Sequence, residues 1–192
     1  MFKSLLLFTA VLFTAATVTT ISVDTTASQI TWKGYKVLGE HAGTIDVKDG
    51  NLEFTDGVLT GGSFAIDMTT IEVTDLEAGA GKEKLEGHLK SPDFFGIEKY
   101  PTATYEITKV VSRGKPGDYR ITGELTIKET TETVRFNASV VEEMGHYVAT
   151  ADLTLDRTDF DVRYGSGSFF DNLGDKTIYD EFDLGIKLVT KK

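Results

Sequence analysis

Apolar and polar residues alternate along Tyr119-Arg120-Ile121-Thr122-Gly123-Glu124-Leu125-Thr126-Ile127-Lys128. The odd positions are apolar or glycine, and the even positions are polar. Because successive side chains of a β-strand point to opposite faces of the sheet, this stretch predicts a strand with one buried and one solvated face. One-sided strands of this kind are typical of antiparallel sheets, whereas buried parallel strands have continuous apolar runs.

Similar strand patterns occur along most of the chain. They are found at positions 29–35, 43–47, 51–54, 58–68, 102–111, 134–140, 147–155 and 182–188. Turns that carry Gly, Asp or Pro separate many of these segments. About nine strands joined in this way predict an all-β fold.

One segment has helical spacing instead. Leu85 and Leu89 are four residues apart, which places them on one face of a helix, and Pro92 ends it. We therefore predict a single short helix within 81–90. It lies in a connection of about 30 residues, 72–101, and connections that long in a compact domain are usually functional.

The strand pattern alone decides neither how the strands are arranged nor whether the interior is filled. About nine antiparallel strands can form two packed sheets or close into a barrel. A barrel of about eight strands has an interior that side chains fill, or that holds one small ligand. Small residues at inward positions are compatible with either interior. These residues are Gly62, Gly123, Ala138, Ala149 and Ala151.

Composition excludes several classes of function. The chain has 192 residues and a formal net charge of −10, so it lacks the basic character of a nucleic-acid-binding protein. It has no cysteine, which excludes thiol catalysis, Cys-ligated zinc, disulfide bonds and a lipoprotein anchor.

The first 20 residues have the organisation of a secretory signal peptide. Lys3 precedes an apolar run over 5–13, and small residues follow over 14–17. The run is shorter than the roughly 20 residues that span a bilayer, and no later stretch reaches that length. We predict cleavage between Ala16 and Ile21, a domain over 21–192, and a periplasmic or secreted protein without a transmembrane segment.

No residue pattern predicts a catalytic or metal site. His41, His88 and His146 are 47 and 58 residues apart, which matches no local metal motif, and His88 is expected on the helix surface or as a loop anchor. On an extended strand Asp159 and Asp161 would lie about 6.6–7 Å apart, a separation compatible with the acid pair of an inverting glycosidase. With 30 acidic residues in the chain, such a pair can arise by chance.

Several motifs occur in an order that resembles the YceI-like family of lipocalin-like, polyisoprenoid-binding proteins. The most specific is Gly87-His88-Leu89-Lys90-Ser91-Pro92-Asp93-Phe94-Phe95 with the following 99–105, which is similar to the family's HLxSxDFFD…PxAxF signature. The other motifs are 23–32, 39–45, 123–127 and 159–162. Two departures concern local turns: Gly96 stands where the family usually has Asp, and 129–131 replaces a Gly-bearing turn.

This resemblance implies an extended antiparallel barrel of about eight strands, with one short helix in a long loop. It also implies an apolar tunnel that holds an isoprenoid or quinone-like lipid, with no catalytic residues and no other cofactor, and a protein that can form homodimers. We expect the ligand to contact Trp32, Phe64, Ile66, Phe94, Phe95, Tyr105, Phe136, Phe169, Phe170 and Phe182.

The alternative is a secreted barrel with a filled core. Such a protein would be an acid-pair hydrolase or a structural protein of the envelope. The same aromatic residues would then be ordinary core residues, so the sequence does not separate the two hypotheses.

Overall fold

A computed structural model describes residues 16–192, and β-strands make up most of this range. One α-helix, α1, spans Lys82–Lys90, and two short 3-10 turns span Arg157–Phe160 and Gly174–Lys176. The strands are β1 (Val18–Ser22), β2 (Gln29–Lys36), β3 (Gly39–Thr55), β4 (Val58–Val73), β5 (Thr102–Ser112), β6 (Asp118–Ile127), β7 (Thr130–Glu143), β8 (His146–Asp156) and β9 (Ile178–Val189).

Eight antiparallel strands close into a barrel. The strand order is β1-β3-β2-β9-β8-β7-β6-β5-β4, and β4 also pairs with β3, so that β2 to β9 form a complete ring. The barrel of about eight strands is therefore confirmed, and the two-sheet alternative is wrong. Closure leaves no free edge in the ring, which removes the template that an exposed edge strand offers for aggregation.

The remaining strand, β1, supplements the ring at one end. It pairs with the last part of β3, from Val18 opposite Thr55 to Ser22 opposite Asn51. The backbone N–H of Lys191 donates to the carbonyl of Ser22 at 2.8 Å, so β1 also contacts the end of the chain after β9. Most of the predicted signal peptide, residues 1–15, lies outside the described residues.

The two ends of the barrel differ. Short turns join β3 to β4, β5 to β6 and β7 to β8, and we call this the closed end. Buried side chains such as Leu52 and Leu59 fill it, and the ring of Phe54 stacks on Tyr147 with centroids 4.1 Å apart. At the opposite end, which we call the helix end, long connections follow β4 and β8.

The predicted short helix is confirmed as α1 in the β4–β5 connection. A carboxylate oxygen of Glu86 accepts a hydrogen bond from the backbone N–H of Val73 at 2.9 Å, which ties the helix to the end of β4. Lys82 pairs with Glu72 at 2.6 Å on the solvent side, and Leu89 is buried. The helix thus places its apolar residues at the helix end of the barrel.

Candidate functional site: an apolar cavity in the barrel

A cavity of about 380 Å³ occupies the barrel interior between the helix end and the filled closed end. All eight strands of the ring contribute to its wall, and the helix and the turn after it contribute Leu85, Leu89, Phe94 and Phe95. The volume lies in the range of about 300–1,000 Å³ that small-molecule sites occupy. The sequence did not decide between a filled core and a cavity, and the structure shows a cavity.

Strand alternation supplies most of the wall. On β8, Ala149, Ala151, Leu153 and Leu155 border the cavity, as period-2 alternation requires for an inward face. The same inward face on β9 contributes Phe182, Leu184, Ile186 and Leu188. Because these strands pair directly, the small alanines of β8 lie beside large side chains of β9.

Not every small inward residue creates space. Gly123 does not border the cavity, because the ring of Tyr105 occupies the volume beside it: a Cβ at position 123 would lie 2.6 Å from the Tyr105 hydroxyl oxygen. Gly62 pairs with Leu52 near the closed end. Only Ala138, Ala149 and Ala151 of the five predicted small residues border the cavity.

Most of the predicted ligand-contacting residues border the cavity. They are Trp32, Phe64, Ile66, Phe94, Phe95, Tyr105, Phe136 and Phe182. Whether a ligand contacts them stays a prediction. Tyr105 is the titratable member of this group, and burial raises the pKa of its hydroxyl, so the phenol stays protonated and uncharged.

The structure contradicts the expected placement of Phe169 and Phe170. They lie in the β8–β9 connection, do not border the cavity, and are 46% and 51% exposed. The connection turns back on itself, with the N–H of Phe170 donating to the carbonyl of Ser166 at 3.0 Å. The Arg163 guanidinium lies over the Phe169 ring at 4.5 Å, which gives this exposed ring a partner at the surface.

One charged residue buried on the wall was not predicted from the sequence. Arg157, only 4% exposed, borders the cavity and forms an ion pair with Asp180 at 3.2 Å. Its guanidinium also donates to the carbonyls of Val162, Ile178 and Tyr179 at 2.5–3.1 Å. Burial lowers the pKa of Arg157, and the charge of Asp180 opposes that shift. Arg157 thereby holds the β8–β9 connection to the start of β9.

His88 was expected on the helix surface or as a loop anchor, and its contacts are those of a loop anchor. It borders the cavity, and its ring makes edge contacts with Phe94 and Tyr164 at centroid distances of 5.5 and 4.3 Å. Its Nε2 atom is buried and has no hydrogen-bond partner among the residues that the structure describes. The helical spacing of Leu85 and Leu89 predicts the helix but does not place His88 at the cavity.

The cavity reaches the surface beside the β2–β3 turn. Tyr179 borders it and is 51% exposed, and Lys36 and His41 lie on the same side. The Nδ1 atom of His41 lies 2.9 Å from a carboxylate oxygen of Asp75. Burial acts to raise the pKa of Asp75, but the hydrogen bonds from His41 and from the backbone N–H of Ala42 outweigh it and lower the pKa.

The acid pair considered from the sequence does not have the expected geometry. Asp159 lies in the 3-10 turn Arg157–Phe160 rather than in an extended strand, and it is exposed. Asp161 is also exposed and pairs with Arg163 at 2.9 Å. Neither residue borders the cavity.

The described part of the chain has neither a metal-binding cluster nor a helix that could cross a membrane. Between positions 16 and 192, no three His, Asp or Glu side chains come together as a metal-binding group. No helix in this range has both the length and the hydrophobicity to cross a membrane.

Comparison with solved structures shows the same fold. The chain superimposes on BcnA of Burkholderia cenocepacia with a TM-score of 0.72 at 22% identity, covering 88% of this chain and 99% of that one. A domain from Saccharophagus degradans, described as polyisoprenoid-binding and implicated in plant cell wall breakdown, gives a TM-score of 0.67 at 14% identity over 88% and 97% of the two chains.

Sequence comparison gives the family. A UPF0312 protein of Pseudomonas aeruginosa is 30% identical over 107 residues, which are 53% of this chain and 55% of that protein. A UPF0312 protein of Vibrio parahaemolyticus is 32% identical over 110 residues, 53% and 56% of the two chains. The aligned region thus spans about half the length of these curated relatives. The family model of the YceI-like domain matches residues 21–190, nearly the whole chain, and the protein therefore belongs to the YceI-like family.

Proposed function

We propose that this protein binds an apolar lipid, of isoprenoid or quinone-like type, in the barrel cavity and carries it unchanged in the bacterial envelope. The observation that carries the proposal is the cavity itself, about 380 Å³ in volume with walls made almost entirely of aliphatic and aromatic side chains. Such walls offer contact area and shape rather than charge, which is what a hydrocarbon chain requires.

The energetics are sufficient without any polar contact. At about 0.8 kcal/mol per buried CH₂, a chain of about 15 carbons gains on the order of 12 kcal/mol. Association and ordering offset a large share of that gain. A micromolar dissociation constant requires about 8 kcal/mol in net terms, so burial of the hydrocarbon can account for useful affinity.

Two further observations support the proposal. The Saccharophagus degradans domain with the same fold is described as polyisoprenoid-binding, which favours an isoprenoid ligand here. The predicted signal peptide over 1–20 favours an exported protein, so we place the ligand exchange in the envelope. A non-enzymatic role accords with the wall: Arg157, its buried cation, uses its donors on Asp180 and backbone carbonyls rather than on a substrate.

Native mass spectrometry tests the proposal. The protein is purified from a bacterial host without detergent, and its mass is compared before and after organic extraction. We expect a mass increment of one lipid, which extraction removes and which lipid analysis then identifies. A protein that carries no added mass and does not take up an added apolar probe such as farnesol would contradict the proposal and favour a filled structural barrel.

A further inference from the structure

We propose that the helix end of the barrel docks on the surface of a lipid bilayer through an apolar rim beside the cavity opening. The rim consists of six exposed side chains, which are Val37, Leu38, Tyr164, Phe169, Phe170 and Tyr179. This inference rests on the proposed lipid-binding function, because it assigns the surface at which the lipid enters and leaves the cavity.

The exposed aromatic side chains of residues 16–192 all lie in one region of the molecule. Tyr164, Phe169 and Phe170 belong to the β8–β9 connection, and Tyr179 is the second residue of β9. Each is about half exposed, although aromatic side chains gain more from burial than most others. Exposed apolar groups that are concentrated at one place, rather than scattered singly, mark interaction sites.

Backbone hydrogen bonds hold the three segments of the rim together. The N–H of Val37 donates to the carbonyl of Thr177 at 3.2 Å, so the β2–β3 turn lies beside the start of β9. The N–H of Ile178 donates to the carbonyl of Gly165 at 2.9 Å, which joins the β8–β9 connection to the same strand. The rim is therefore one surface built from adjacent segments.

This surface lies where the cavity opens. Tyr179 belongs to the rim and also borders the cavity, and so does Lys36, the residue before Val37, on the cavity side. A hydrocarbon chain that left the cavity through water would lose the burial that makes its binding favourable. With the rim in a bilayer, the chain instead passes from one apolar environment to another.

The size of the rim favours a bilayer over a second copy of the chain. An aromatic side chain presents about 150–250 Å², so four that are half exposed present on the order of 400 Å². Val37 and Leu38 are smaller, and the rim stays below the roughly 800 Å² per partner that a standard protein interface buries. A bilayer sets no such minimum, because individual aromatic side chains anchor at the boundary between headgroups and hydrocarbon.

Charge does not oppose this approach, although the chain has a formal net charge of −10. The rim is flanked by three bases and three acids, which are Lys36, Arg163, Lys176, Asp161, Asp171 and Asp175. Asp161 and Arg163 pair at 2.9 Å. The acidic excess is thus not concentrated at the rim, and a bilayer of zwitterionic lipid is the appropriate surface for the test.

Flotation with phosphatidylcholine vesicles tests the docking surface. We expect the wild type to float with the vesicles, and the double variant Phe169→Ala, Phe170→Ala to show a partition coefficient lower by about tenfold or more, because two rings lose their contact with the bilayer. Neither ring borders the cavity. The affinity of the double variant for an apolar dye, measured without vesicles, should therefore change by less than about twofold.

A matched pair of single substitutions separates the rim from the rest of the surface. Leu38 lies on the rim, and Met144 is an equally aliphatic, exposed residue in the β7–β8 turn at the closed end. Leu38→Asp places a charge in the apolar contact and should lower the partition coefficient by about tenfold or more, whereas Met144→Asp should change it by less than about twofold.

Transfer kinetics give a second readout. A fluorescent isoprenoid is loaded into the protein, and its transfer to phosphatidylcholine vesicles is followed with time. If the protein docks, the transfer rate of the wild type rises with vesicle concentration, and Leu38→Asp transfers more slowly than Met144→Asp. A rate that does not depend on vesicle concentration would overturn the inference, since the lipid would then pass through water.

The remaining outcomes also decide the inference. A wild type that does not float, or rim variants that float as well as the wild type, would overturn it. A wild-type dimer in sedimentation velocity that the double variant converts to a monomer would overturn it too, by assigning the rim to a second copy. In each of these cases binding of the apolar dye leaves the proposed function standing. A wild type that floats but binds no dye would instead contradict that function and retain the docking surface.

Discussion

The ring of Tyr105 lies directly over Gly123 on the neighbouring strand. A Cβ at position 123 would stand 2.5 Å from the ζ carbon of Tyr105 and 2.6 Å from its hydroxyl oxygen, and it would also collide with the backbone carbonyl of Glu106. The missing side chain on β6 thus leaves room for the hydroxyl end of Tyr105 on β5, a residue that also borders the cavity. The position of the Tyr105 side chain therefore depends on a glycine at position 123.

Substitution of Gly123 by Ala should therefore destabilise the protein. The new methyl group meets backbone as well as the Tyr105 ring, so the strands must shift, and we expect the free energy of unfolding to fall by about 1–3 kcal/mol. Urea denaturation followed by circular dichroism measures this. Gly87→Ala is the control: Gly87 is an exposed position of α1 with open space where an added Cβ would lie, and the substitution should stabilise the protein by about 0.5–1 kcal/mol. Equal stability of Gly123→Ala and wild type would show that the packing of Tyr105 does not require glycine at position 123.

Tyr105 should make stability depend on alkaline pH. Burial raises its pKa in the folded protein above the value of about 10 in the unfolded chain. As the pH rises through 10, the unfolded chain loses the phenol proton first, so stability that is present below pH 10 is lost above it. Tyr105→Phe removes this contribution and should lose less stability than wild type between pH 8 and pH 11, as measured by urea midpoints. Parallel losses in the two proteins would show that Tyr105 ionises freely when folded.

The strands of the barrel could be predicted from the sequence because each is buried on one face only. Alternation on β6 and β8 depends on nothing but that asymmetry, and it correctly identified the inward residues Ile121, Leu125 and Leu155. β1 was not predicted because four of its five residues are exposed, so it lacks a buried face to produce a pattern.

The extent of the cavity could not be predicted from the sequence in the same way. Phe54 at the closed end and Phe64 at the cavity both occupy inward positions of long strands, yet only Phe64 borders the cavity. Their surroundings depend on which distant strand lies across the barrel, and alternation carries no such information. The sequence analysis wrongly expected Phe169 at the cavity because its surface partner, Arg163, could be identified only from the three-dimensional fold.

The aromatic residues of the two long connections should differ in their effect on ligand retention. Phe95 borders the cavity, and truncating it to Ala removes apolar contact, so we expect apolar probe affinity to fall by about tenfold or more. The matched control is the double substitution of Phe169 and Phe170 by Ala, which should change affinity by less than about twofold. Dye displacement measures both, with thermal midpoints recorded to detect loss of folding. A larger loss in the control than in Phe95→Ala would place the ligand outside the barrel.

Filling the cavity should remove the ligand without unfolding the barrel. Ala149 borders the cavity on β8, so a phenylalanine there would occupy space that the lipid chain needs. We expect Ala149→Phe to co-purify with much less lipid, while its free energy of unfolding falls by less than the roughly 1–3 kcal/mol that overpacking a filled core costs. Asp152→Phe, on the solvated face of the same strand, is the control and should retain lipid. Unchanged lipid content together with a large stability loss in Ala149→Phe would mean that the lipid binds elsewhere.

The position of β1 refines the predicted export cleavage. Cleavage after position 20 would remove Val18, Thr19 and Thr20, and with them three of the five residue pairs that join β1 to β3. Cleavage beside Ala16 would leave β1 whole, together with the hydrogen bond from the N–H of Thr17 to Asp56 at 3.1 Å. We therefore expect cleavage after Ala16, so that the exported protein begins at Thr17, within the predicted window of 16–21. N-terminal sequencing of protein from the periplasmic fraction measures this. A sequence beginning at Met1 would contradict export with cleavage, and one beginning at Ile21 would show that the barrel does not require the first part of β1.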